Sequence, residues 1–115
     1  SSLAHLENEL AFFVGAARLV RALRAEGYAL ARPAIAPPDA RLLVAEGLYS
    51  LDLALRLRAR PPANGVPPAP VPNSAAFDDA GGRIAVLTGP NRGGKTTYTR
   101  AIGQALVLAQ AGLPV

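Results

Sequence analysis

The sequence predicts an α/β fold for one small domain or a part of one, and three observations carry that prediction. An amphipathic stripe opens the chain, a buried-strand run Ile84-Ala85-Val86-Leu87 stands in its second half, and a glycine-rich turn joins that run to an apolar helical segment. With 115 residues there is room for one core but not for two. Half of the residues are apolar and only 17% are charged, a balance that excludes a disordered chain.

The first element is a helix. Leu3, Leu6, Leu10, Phe13, Ala17 and Val20 recur at steps of three and four, the stripe of an amphipathic helix running to about Glu26, with Gly27 as its stop. At 1.5 Å per residue it spans roughly 35 Å, long for so small a domain. Part of the stripe therefore either packs in an ordinary core or meets a partner outside the chain. Residues 28–39 are a connector, because Pro33, Pro37 and Pro38 prevent a continuous helix. Arg41 to Glu46 reads as a short strand, after which Ser50 caps a helix carrying Leu51, Leu53, Ala54, Leu55 and Leu57.

Six prolines between Pro61 and Pro72, with Asn64-Gly65 among them, make residues 60–72 a stiff surface loop. Ala75 to Phe77, the turn formers Asp78 to Gly82, and Arg83 to Thr88 then read as strand, turn and strand. This hairpin leads into the glycine-rich loop. Beyond it, Tyr98 to Ala111 is apolar nearly all round, which predicts a helix buried on most faces and ending before Gly112 and Pro114.

Composition excludes several chemistries. Cysteine is absent, so there is neither a disulfide framework nor a thiolate metal site, and the single histidine, His5, reads as a surface residue that cannot build a zinc centre alone. No apolar run approaches the length of a bilayer span, and no basic segment leads into an apolar stretch at the start, so no membrane partner and a cytoplasmic location are expected. The formal charge is +4, and all cations but one are arginine. Arg18, Arg21 and Arg24 lie at i, i+3, i+6, so they form either a phosphate-binding strip or a solvated helix face. The one lysine, Lys95, stands inside the glycine-rich loop, where a compact ammonium suits phosphate.

Gly89-Pro90-Asn91-Arg92-Gly93-Gly94-Lys95-Thr96 satisfies G-x-x-x-x-G-K-[ST] at every fixed position. Its expected setting between a strand and a helix makes it a phosphate-binding P-loop. Glycine at 89, 93 and 94 permits conformations in which successive N–H groups turn toward phosphate oxygens, and the helix N-terminus adds a positive field. Lys95 is expected to reach the β and γ phosphates of ATP, Thr96 to ligate the bridging Mg²⁺, and Thr97 to bond the α phosphate. Arg92, at the crown of the loop, either touches the nucleotide or a facing subunit or is simply solvated. Hydrolysis also needs a carboxylate-bearing strand and a group that orients water. Asp78 and Asp79 read as turn residues, so the catalytic set is expected to be incomplete within these residues.

Thr88 to Tyr98 (TGPNRGGKTTY) resembles the phosphate loop of the MutS-type DNA mismatch-repair ATPases, which reads close to TGPNxGGKSTY. Val71-Pro72-Asn73 resembles the family's extended segment beside the adenine, and Ala109 to Val115 resembles its helix end and following strand. The likeness is strong from Val71 to Val115 and mainly positional from Leu3 to Leu57. It implies an ABC-class ATPase fold, here an incomplete P-loop NTPase domain over residues 28–115, with residues 1–27 as the end of a lever-like helix descending from a DNA clamp. It further implies ATP/ADP as ligands with Val71 and Asn73 on the adenine side, a homodimeric parent, and DNA bound through parts of the parent outside this chain. The second acidic motif, the signature segment and the catalytic histidine region of the family are expected there too.

Three departures accompany the resemblance. Pro70 occupies the place of an adenine-stacking aromatic, Arg92 replaces a usual methionine, and Gly47-Leu48-Tyr49-Ser50 stands where many members have glycine-arginine-histidine-proline. Two other functions compete with a MutS-like ATPase. One is a different P-loop enzyme such as a nucleotide kinase, although the long lead-in before the loop is unusual for those. The other is an interaction module in which the first helix and the proline loop dock a partner while the P-loop stays idle.

Overall fold

A computed structural model of the chain describes residues 1–90 and 92–115. It contains three α-helices, a short 3₁₀ turn and one small antiparallel sheet among the described residues. The chain divides into two compact units, residues 1–33 with 108–115, and residues 34–107.

In the first unit, helix α1 (Ser2–Ala25) begins at Ser1, whose hydroxyl accepts the Ala4 N–H at 3.3 Å. Capping of this kind satisfies one of the donors that a helix start leaves orphaned. The helix ends where its sequence predicts. Gly27 takes φ +91°, its N–H bonds to the Arg24 carbonyl, and the Tyr28 N–H reaches back to Leu23. Those paired bonds are a Schellman closure, which needs a left-handed residue and therefore favours glycine. Leu23 is buried, whereas Leu3, Leu6, Leu10 and Phe13 of the stripe are each more than half exposed. Within the same unit, Ala31 and Val115 exchange both backbone hydrogen bonds, at 2.7 and 2.9 Å.

The second unit holds the remaining elements up to residue 107. A 3₁₀ turn (Pro38–Ala40) leads through Arg41, in a left-handed conformation, to strand β1 (Leu43–Leu48), two residues later than the sequence suggests. Helix α2 (Leu51–Arg58) follows, capped as expected by Ser50, whose Oγ accepts the Leu53 N–H at 3.2 Å. In the proline-rich loop, Asn64 and Gly65 both take positive φ and Ala63 pairs with Val66, a tight hairpin turn of the kind Asn-Gly favours. Strand β2 (Asn73–Phe77) pairs antiparallel with β1, with Leu43 opposite Phe77, Ala45 opposite Ala75 and Leu48 opposite Asn73.

The run Arg83–Thr88, expected as the second strand of a hairpin, forms no ladder. Asp78 and Gly82 exchange backbone hydrogen bonds across the turn, but residues 84–90 are irregular. Ile84 is 89% exposed and Val86 84%. An apolar run of this type is stabilised by neighbours on both edges, and here it joins neither edge of the two-stranded sheet of the described residues. Helix α3 (Lys95–Gln110) starts three residues before the segment Tyr98 to Ala111 and closes through a second Schellman arrangement at Gly112. Its expected burial on most faces is not realised, since Ala101 is buried but Leu106 and Val107 are exposed.

A side-chain knot joins α3 to the start of α2. Gln104 of α3 presents Oε1 to the start of α2, accepting the Leu51 N–H at 2.9 Å and, more distantly, the Asp52 N–H and the Ser50 hydroxyl at 3.5 Å. Ser50 itself is 3% exposed. Replacing Ser50 by alanine is expected to lower the unfolding free energy by about 1–2 kcal/mol, the loss of a cap in a buried setting. Urea denaturation of Ser50→Ala against the parent checks this, and an unchanged midpoint would contradict the capping role.

Candidate anion-binding cleft

The loop between residue 88 and α3 owes its shape to its glycines. Gly89 and Gly94 adopt φ of +150° and +89°, and a Cβ on Gly93 would meet the Pro90 carbonyl oxygen at 3.0 Å. Arg92 also takes a left-handed φ, +70°, and the Gly93 N–H closes a turn onto Pro90 at 3.1 Å. Asn91, the remaining loop residue of the motif, lies outside the described residues. From Lys95 onward the chain is helical, with the Tyr98 N–H bonded to the Gly94 carbonyl. The Lys95 side chain folds back across the loop and donates to the Gly89 carbonyl oxygen at 2.7 Å.

A cleft of about 890 Å³ lies in front of this loop. Arg92, Gly93, Gly94, Lys95 and Thr97 line it, and so do Val71 and Asn73, so both groups of residues singled out in the sequence meet in one cavity. Gly89, Pro90 and Thr96 are not among its lining residues. Thr96 is exposed in the first turn of α3, and Gly89 and Pro90 are exposed as well. Asn73 turns its amide onto its own strand, donating to the Val71 carbonyl at 3.3 Å.

Arg92 and Lys95 are the charged side chains of the lining, which includes no carboxylate. No acidic residue occupies the first turn of α3, so its N-terminal partial charge is not offset locally. The two acids nearest the loop in sequence are engaged in the preceding turn. Asp78 accepts the Gly81 N–H, and Asp79 is ion-paired with Arg83. Such a site suits an anion with several oxygens: donors and positive charge converge, and the walls add apolar area from Leu48, Val71 and Leu87.

Sequence reading missed two contributors. Gln104 fixes α3 to the start of α2, and Tyr98 donates its hydroxyl to the Ser74 carbonyl at 3.0 Å, tying the same helix to β2. A glutamine amid the apolar residues of α3 was the one available signal, and its partner could not be read from spacing. Gly47, Leu48 and Tyr49 also had no assigned role, and Ser50 only that of a helix cap, yet Leu48, Tyr49 and Ser50 line the cleft. The other sequence candidates lie on the surface. His5 and the strip Arg18, Arg21, Arg24 are exposed, and Arg24 donates to the Leu30 carbonyl at 3.2 Å. No helix among the described residues is long and apolar enough to cross a membrane.

A loop of this composition, opening onto a helix and a cationic cleft, has the charge and backbone donors that suit a bound anion. Similarity to known proteins is narrower in extent and more particular in kind. The chain is 43% identical over 42 residues to the DNA mismatch repair protein MutS of Protochlamydia amoebophila, a stretch covering 36% of this chain and 5% of that protein. It is 52% identical over 42 residues to the DNA mismatch repair protein MutS of Haloquadratum walsbyi, covering 36% and 4%. It is 46% identical over 46 residues to the Endonuclease MutS2 of Streptococcus thermophilus, covering 40% and 6%. These matches support a relationship to the MutS family over that stretch, and the matched part is a small fraction of each relative's length. No model of a protein family matches the chain, and no solved structure matches it.

The loop geometry makes two glycines separable by experiment. Gly94→Ala places a Cβ at positive φ and is expected to cost about 1–2 kcal/mol. Gly103→Ala, within α3 and with open space around it, is expected to stabilise by about 0.4–1 kcal/mol. Thermal unfolding of the two variants side by side gives the sign of each.

Proposed function

We propose that residues 34–107 form a nucleotide-binding unit that takes Mg-ATP, and that the chain is the first part of a P-loop ATPase domain of MutS type. The observation that carries this reading is the cleft itself, in which a G-x-x-x-x-G-K-T loop, an uncompensated helix N-terminus and two cations face one cavity free of carboxylates. In this reading the phosphates lie against the Gly93–Gly94 backbone and displace the Lys95 ammonium from the Gly89 carbonyl. Gly89, Pro90, Asn91 and Arg92 complete the loop around them. Thr96 and Thr97 offer hydroxyl oxygens, the hard donors that Mg²⁺ and phosphate accept, and Val71 and Asn73 border the base.

The similarity to MutS proteins supports a DNA-repair setting for the parent. We further propose that DNA is reached by parts of the parent outside these residues and that the parent works as a homodimer. Under this proposal α1 is the end of a lever-like helix, and Leu3, Leu6 and Leu10 pack against other parts of the parent. Transition-state chemistry needs a metal-holding carboxylate and a water-orienting group besides the loop. Asp78 and Asp79 are committed to the turn and to Arg83, so they supply neither.

Two outcomes follow. In calorimetric titrations, Lys95→Ala is expected to weaken Mg-ATP binding by at least about tenfold, the loss of a charge-assisted contact. Equal affinity of the two proteins would sink the proposal and favour an idle loop. The chain by itself is expected to release phosphate from ATP no faster than Lys95→Ala does, and a linear, Lys95-dependent phosphate release in a coupled assay would show that its catalytic set is complete.

A further inference from the structure

We infer that Tyr49 is a base-binding residue, its ring forming the aromatic wall of the cleft against which the nucleobase packs, alongside Val71 and Asn73. The inference rests on the reading of the cleft as a nucleotide site and deepens it. At about 890 Å³ the open cleft has room for more than a polyphosphate tail. Two aromatic side chains line it, Tyr49 and Tyr98. Tyr98 has its hydroxyl tied to the Ser74 carbonyl and braces α3 against β2.

Tyr49 sits where a base wall is needed. Strand register puts Leu48 opposite Asn73, so Tyr49, one residue on, borders the end of the 71–73 segment on the same side of the unit as the cleft they share. Its backbone is held from the other direction too. Ser50, the next residue, is buried and caps α2, and Gln104 binds that cap from α3, the helix whose first residue is Lys95. The backbone that follows Tyr49 is thus tied to the same helix that carries Lys95 at its start. A half-buried tyrosine offers a broad flat face at small entropic cost, and every nucleobase presents a π face to match it. Stacking of this sort adds affinity without choosing among bases.

The test separates base from phosphate. The whole chain, Tyr49→Leu, Tyr49→Phe and Lys95→Ala are titrated calorimetrically with Mg-ATP and with Mg-tripolyphosphate, after circular dichroism has shown matching helix content. Tyr49→Leu is expected to bind Mg-ATP roughly ten- to a hundredfold more weakly while keeping its affinity for tripolyphosphate, and Tyr49→Phe to bind both as the parent does. Lys95→Ala is expected to lose both ligands. Undiminished ATP binding by Tyr49→Leu, beside a weakened Lys95→Ala, overturns the role of Tyr49 and leaves the nucleotide reading standing. Parallel loss of both ligands in Tyr49→Leu also overturns it, since the ring would then act on the fold. A parent chain that binds neither ligand overturns the nucleotide reading and the inference together.

Discussion

In the second unit, one acceptor atom links two helices distant in sequence. Gln104 Oε1 takes the Leu51 N–H at 2.9 Å at the start of α2, where Ser50 already caps the Leu53 N–H. A helix start exposes donors that must find partners, and here two side chains from distant parts of the sequence supply them. A single such bond contributes about 1 kcal/mol net, but leaving the part-buried donors unmet would cost more than that. The consequence is positional. The bond ties α3 to the start of α2 and so links the helix behind the glycine loop to the β1–α2 junction.

Charge and backbone act together in the cleft. Gly89 and Gly94 take conformations that a side chain would strain, and Gly93 is pressed against the Pro90 carbonyl. The loop is thereby held open ahead of α3, whose dipole and the Arg92 and Lys95 cations give the cavity one sign. Neighbouring carboxylates would cancel that field, and Asp78 and Asp79 are drawn into the turn with Gly81 and Arg83. The turn therefore performs two tasks: it reverses the chain after β2 and keeps negative charge engaged away from the loop.

Much apolar surface stays uncovered. Ile84 and Val86 are almost fully exposed, and so are large parts of Leu3, Leu6 and Leu10. The strand run forms no ladder among the described residues, where β2 pairs with β1 and the run joins neither open edge of the sheet. Local preference alone does not make a strand, since the measured preference of β-branched residues reflects packing against neighbours more than the backbone itself. The helical segments differ in this respect. α1 and α3 satisfy their own backbone groups, so they persist although much of the α1 stripe, and Leu106 and Val107 of α3, are exposed.

Features decided within a few residues were legible in the sequence: the stop at Gly27, the cap at Ser50, the closure at Gly112 and the glycine-rich loop around Lys95. Each depends on local sterics or on a hydrogen bond spanning three to five residues, which spacing reveals. Tertiary structure alone decided the rest. It set Leu48 opposite Asn73, brought Tyr49 into the cleft with Lys95, joined Gln104 to a helix start more than fifty residues earlier, and left Arg83–Thr88 unpaired. Those outcomes turn on which distant groups meet, and meeting is a property of the packed chain rather than of any segment in it.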